Sequence, residues 1–160
     1  MCPADPPTDL AGTGNTKGFG MIETLFANAL MCMALNIYHE ARNESTAGQL
    51  AVGQVVMNRV FDDRFPNTVC GVVTQGIHWE SIPARNRCQF SWYCDGLSDV
   101  PRNEEAFVQS QENAQIVLNG WFDTFMDGAT HYHADYVMPS WAKTHTKIVK
   151  IDSHIFYRWD

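Results

Sequence analysis

A run of apolar residues at helical spacing constrains this chain before anything else does. Ile22, Leu25, Phe26, Ala29, Leu30, Met33, Ile37 and Ala41 fall at the i, i+3, i+4, i+7 positions of one helix face. Such a stripe needs a core to cover it, so the rest of the chain must fold against it. The run from Phe19 to Tyr38 carries Glu23, Asn28 and Asn36, which suits a helix half buried in protein and predicts no stable membrane span. A signal-anchor helix is the alternative reading. The stripe ends in "IYHEAR", where Glu40 stands three residues after Ile37 and seven after Met33, along the edge of the buried face. His39 and Arg42 point elsewhere around the helix.

The elements that could cover the stripe follow in order. Thr46 with Gln49 has the spacing of a capping box and opens a second helix through Leu50, Ala51, Val55, Val56 and Val60. Phe65 and Pro66 break the chain before "NTVCGVV", a short apolar run that suits another helix. Residues 75–101 show no clear period, and their "CQFSWYCDG" has the polar and aromatic make-up of a cleft lining. Asn103, Glu104 and Glu105 mark a helix start, with Gly120 in the stopping position. The end, "THTKIVKIDSHIFYRW", reads as a hairpin about Asp152 and Ser153, joined by a short strand at "ATHYHA". Helices first and a small antiparallel sheet late make an α+β fold. At 160 residues and 45% hydrophobic the chain supports one core. The Pro- and Gly-rich start predicts a flexible tail over 1–18, with no secretory signal, and a single domain over 19–160.

A net charge of -7 with 11 Lys and Arg argues against nucleic acid as a partner, because phosphate neutralisation needs clustered cations. The five cysteines leave at least one unpaired or bonded outside the chain. Cys88 and Cys94 can close a small loop, with Cys70 as a rival partner, while Cys32 reads as a small buried residue. No C-x-x-C or other zinc spacing occurs, so no metal and no cofactor is expected.

A carboxyl group beside a buried stripe loses water, which favours its protonated form near neutral pH. That is what a general acid needs to protonate the oxygen of a breaking glycosidic bond. The competing reading of Glu40 is a solvated helix end. A glycosidase of the usual kind needs a second carboxylate, for which Glu44, Asp62, Asp63 and Asp95 are the candidates and none stands out. His131 and His133, at i, i+2 on a strand, point to one side and invite a metal reading, but no third ligand is supplied by a motif such as H-E-x-x-H. Hydrogen bonding in a cleft or core is preferred for them. Tyr132, Trp141 and Tyr157 can line a sugar groove or pack in the core. Asn58 and Arg59 read equally well as structural hydrogen-bond donors.

Taken together, "IYHEARNES", "GQLAVGQVVMNRV", "FPNTVCGVVTQ", "CQFSWYCDG", "GATHYHADYVMPSWA" and "HIFYR" resemble the cell-wall hydrolases related to spore-cortex-lytic enzymes, in that family's order from about residue 34 to 158. The resemblance implies a lysozyme-like helical domain with a small sheet. It implies cleavage of peptidoglycan glycan strands between N-acetylmuramic acid and N-acetylglucosamine by a lytic transglycosylase that leaves 1,6-anhydro ends. Glu40 would be the catalytic acid, and Gln89, Ser91, Trp92, His131, Tyr132 and His133 would bind substrate. A monomer released from the host cytoplasm by a holin, or delivered by a phage particle, is the expectation, and a secreted or spore-associated protein the alternative. Rival readings are a hydrolytic muramidase, a metal-dependent amidase or peptidase, and a non-catalytic glycan-binding module.

Overall fold

The computed structural model describes residues 18–120 and 126–160, with side chains from residue 28 onward. The expected tail lies outside it except for Gly18, which opens the first helix, and so do Cys2 and the side chains of Ile22, Leu25 and Phe26. The helices are α1 (Gly18–Ala41), α2 (Thr46–Val60), α3 (Val69–Val73) and α4 (Glu104–Leu118). Strands β1 (Gly76–Trp79) and β2 (Ile82–Cys88) form one antiparallel hairpin. Strands β3 (His131–Ala134), β4 (Thr146–Ile151) and β5 (His154–Arg158) form a second antiparallel sheet in the order β3-β5-β4. The fold is α+β, and no helix among the described residues is long and apolar enough to cross a membrane.

Helix α2 is the centre of the molecule. Every residue from Gly48 to Val56 is buried, because one side of α2 meets α1 and α4 and the other meets the three-stranded sheet. A helix covered on all sides loses the clean amphipathic pattern of a surface helix. Met33, Ile37, Val56 and Val117 pack in the larger cluster; Val52, Val55, Met126 and Phe156 form the smaller one against the sheet. The cap of α2 is Ser45, one residue before the Thr46 expected from spacing: its Oγ accepts from Gly48 N at 3.3 Å, while Gln49 turns back to donate to Glu44 O. Gly53 sits where the helices touch, and a Cβ there would stand 2.9 Å from Val117 Cγ2 and 3.2 Å from Ile37 Cδ1. Overpacking of that kind costs about 1–3 kcal/mol, more than the helix propensity that alanine adds. Gly53→Ala is therefore expected to lower the urea midpoint; an unchanged midpoint would mean that α1 and α4 recede freely.

Two reciprocal contacts dock the α1–α2 junction onto the β4–β5 turn. Asp152 accepts from Ser45 N at 2.9 Å and Ser45 Oγ at 2.6 Å, and Glu44 accepts from Ser153 N at 3.1 Å and Ser153 Oγ at 2.5 Å. The end of α1 is thereby fixed against the sheet that faces it.

Three expectations need correction. Residues 76–88, which lack a readable period, form the β1–β2 hairpin; its residues are exposed or half-buried on both faces, so no alternation was required of them. Cys32 is buried as expected but is also bonded to Cys70, joining α1 to α3, and Cys88 pairs with Cys94. Trp92 lies in the core, with its Nε1 donating to Asn36 Oδ1 at 3.0 Å and its indole stacked on His39.

Candidate active site

Helix α1 ends at the wall of a cavity of about 170 Å³ lined by Glu40, Arg59, Gln89, Phe90, His131, Tyr132 and Trp141. Four separate parts of the chain contribute: the last turn of α1, the last turn of α2, the segment after β2, and β3 with the turn that follows it. Glu40 is half-buried, and Tyr132 Oη donates to its Oε2 at 3.0 Å. Burial raises the Glu40 pKa above the ordinary carboxyl value, while the tyrosine hydrogen bond and the charge of Arg59 pull the other way without overcoming it. Burial likewise pushes the Tyr132 hydroxyl well above its usual value, so it stays a donor.

Arg59 comes from the α2 turn expected to hold structural donors, and part of that role is present. Its Nε donates to Thr130 O at 2.7 Å and Asn58 donates to Ala129 O at 2.8 Å, so α2 grips the backbone that leads into β3. The guanidinium lies over the rings of both Phe65 and Phe90, at 5.1 and 5.3 Å from their centroids. It is 5% exposed, and its Nη1 is buried without a hydrogen-bond partner. Burial lowers its pKa, but the Glu40 and Tyr132 oxygens counter that.

Strand β3 alternates as a strand must, with Tyr132 directed at Glu40 and His131 and His133 both beside Trp141, at 5.2 and 5.6 Å. His131 reaches the cavity. Burial and the nearby charge of Arg59 lower its pKa to about 4, so it is a neutral imidazole at physiological pH, with Nδ1 beside Thr130 Oγ1 at 3.0 Å. His133 is buried instead, with Nε2 at 3.1 Å from the Tyr157 hydroxyl and its ring stacked on that tyrosine. Among the described residues no three of His, Cys, Asp and Glu converge as metal ligands.

Of the sequence-derived candidates, Glu40, Gln89, His131 and Tyr132 meet at the cavity. Ser91 is exposed outside the lining, Trp92 belongs to the core, and His133 supports the sheet from within. Trp141 joins the lining, and Tyr157 is buried behind it. Arg59 and Phe90 complete the site without having been read as part of it; a lone cation inside the apolar run "VVMNRV" is the one signal that pointed to Arg59. Three of the other four candidate carboxylates are engaged elsewhere. Glu44 holds Ser153, Asp62 pairs with Arg64 at 2.7 Å, and Asp95 accepts from Leu97 N in a turn. Among the described residues Glu40 is the one carboxylate that lines the cavity.

Residues 43–157 match the sequence profile of a family described as Cell Wall Hydrolase. The spore cortex-lytic enzyme of Bacillus cereus is 29% identical over 150 residues, covering 94% of this chain and 49% of its own length. That of Bacillus subtilis strain 168 is 28% identical over 129 residues, covering 81% and 37% respectively. The chain thus spans half or less of the length of the curated relatives it matches. The crystal structure of the catalytic domain of the Bacillus cereus SleB protein superposes with a TM-score of 0.64 at 32% identity, covering 82% of this chain and 91% of that one. The catalytic domain of the germination-specific lytic transglycosylase SleB from Bacillus anthracis gives 0.63 at 31% identity, covering 81% and 93%.

Proposed function

Because the chain belongs to the cell wall hydrolase family, we propose that it is a lytic transglycosylase cutting peptidoglycan between N-acetylmuramic acid and N-acetylglucosamine, with Glu40 as proton donor and then proton acceptor. The observation that carries this reading is the water-shielded carboxyl of Glu40, the one carboxyl among the described residues that line the cavity. A glycosidase that adds water conventionally employs two carboxyl groups, whereas a transglycosylase needs one. Glu40 gives its proton to the glycosidic oxygen as the bond to C1 of muramic acid breaks. The C6 hydroxyl of the same sugar then closes on C1 and returns its proton to Glu40. The products are a 1,6-anhydro end and a free 4-hydroxyl on N-acetylglucosamine, with no water consumed. Since Oε2 accepts from Tyr132, the acidic proton belongs on Oε1.

The named relatives are spore cortex-lytic enzymes, which favours cortex peptidoglycan as the substrate and a spore-associated location. They lend no support to a phage origin or to release by a holin. Two disulfides fit a site of action outside a reducing cytoplasm. For a hydrolytic muramidase, the candidate second carboxylates Glu44 and Asp95 are each already engaged, at a helix junction and in a turn.

Digestion of purified cortex peptidoglycan followed by mass spectrometry of the fragments tests the reading. Anhydro ends are expected, and reducing ends in their place would reject it. Tyr132→Phe is expected to lower kcat roughly tenfold. Its loss removes a hydrogen bond that favours the charged form of Glu40. The carboxyl then stays protonated to higher pH, and the alkaline limb of kcat/KM moves up. A limb that moves down would mean that the hydroxyl acts on some other group.

A further inference from the structure

We propose that Arg59 is a positioning residue for the reaction, its guanidinium stabilising the carboxylate that Glu40 becomes on giving up its proton, so that one carboxyl group can act as acid and then as base. The inference rests on the transglycosylase reading of Glu40 and adds a second residue to it.

Geometry carries it. Arg59 shares the cavity wall with Glu40 and is 5% exposed. Its Nε is tied to Thr130 O and its guanidinium lies over the rings of Phe65 and Phe90, which holds the group in the interior. Its Nη1 has none. A buried guanidinium with an unused donor is costly unless an anion answers it, and among the described residues of the cavity lining the carboxylate is Glu40. While Glu40 is in its acid form, the buried charge of Arg59 has no anion to answer it. When the proton leaves for the glycosidic oxygen, a negative charge develops where a fixed positive one waits, which is electrostatic preorganisation of an ordinary kind.

The other groups facing Glu40 cannot supply this. Tyr132, from β3, is neutral and offers one hydrogen bond; His131, also from β3, is uncharged; Gln89, Phe90 and Trp141 carry no charge. On α1 itself, His39 is stacked on Trp92 and Arg42 lies over Tyr38, both turned away. Without Arg59 the carboxylate would be too basic to form, and the barrier to the first proton transfer would rise.

The test compares Arg59→Gln, which keeps an amide to bond Thr130 O but loses the charge, with Arg59→Lys, which keeps the charge. On solubilised cortex glycan, Arg59→Gln is expected to lower kcat roughly tenfold or more with KM changed less than about twofold. Its alkaline limb of kcat/KM is expected to move up, because Glu40 loses the charge that favours its ionisation; Arg59→Lys should keep the limb near that of the wild type. A limb that stays put in Arg59→Gln, or moves equally in Arg59→Lys, overturns the proposal. Should Arg59→Gln not fold, Arg59→Met replaces it, and if no neutral variant folds the proposal falls, Arg59 then being a folding residue. Product ends separate the two levels of failure. Anhydro ends from the wild type with an unmoved limb reject the role of Arg59 alone, whereas reducing ends reject the transglycosylase reading beneath it.

Discussion

Glu40→Gln is expected to lower the rate of glycan cleavage by at least about a thousandfold, since the amide fills the same space beside Tyr132 but has no proton to give. The variant should fold as well as the wild type or better. Glu40 is held above its ordinary pKa by burial, so folding is most favoured where the group is protonated. That stability is fully present below the ordinary carboxyl range and is lost as pH rises through the higher folded value. A neutral amide escapes that loss. At neutral pH the variant should therefore melt at the same temperature as the wild type or higher, and the difference should vanish at low pH. Calorimetry at pH 3 and pH 8 beside a fragment-release assay measures both. Retained cleavage would remove Glu40 from the mechanism, and a large drop in melting temperature would make it a structural residue.

Opening the Cys32–Cys70 bond is the change expected to cost most in stability. The bond closes 38 residues, and the chain-entropy relation gives about 4 kcal/mol for a loop of that size. Cys88 and Cys94 are six residues apart, for which the same relation gives about 2 kcal/mol. Cys32→Ala with Cys70→Ala should therefore lower the free energy of unfolding by roughly twice as much as the corresponding pair at 88 and 94. The site should survive at low temperature, because Cys32 lies about two turns before Glu40 on α1 and touches nothing in the cavity. Urea titration of the two double variants decides it. A larger loss from the smaller loop would show that the hairpin root, and not the α1–α3 link, limits stability.

Much of this was legible from residue order because the relevant physics is local. The stripe leading to Glu40 needs only helical spacing, the start of α4 at Asn103 needs only a capping side chain, and the β4–β5 hairpin needs only two β-rich runs about Asp152 and Ser153. What was not legible depends on which elements meet. Cys32 is a small apolar residue to its helix and a bridge only once α3 arrives. Trp92 sits in a polar, aromatic segment that suggests a cleft, yet its ring is claimed by Asn36 and His39 of α1. Arg59 looks like one donor among several at the end of α2, and becomes part of the site because Phe65, Phe90 and Thr130 close around it. The β1–β2 hairpin buries neither face, so composition left no trace of it.

The order of strands bears on when the protein can act. Tyr132 stands on β3, which among the described residues is an edge strand paired with β5. Glu40, on α1, precedes the whole sheet in the chain, but the strand that directs Tyr132 at it pairs with β5, His154–Arg158. A chain interrupted before His154 has Glu40 and Tyr132 but not the strand that pairs with β3. Full competence therefore waits on the pairing of β3 with β5.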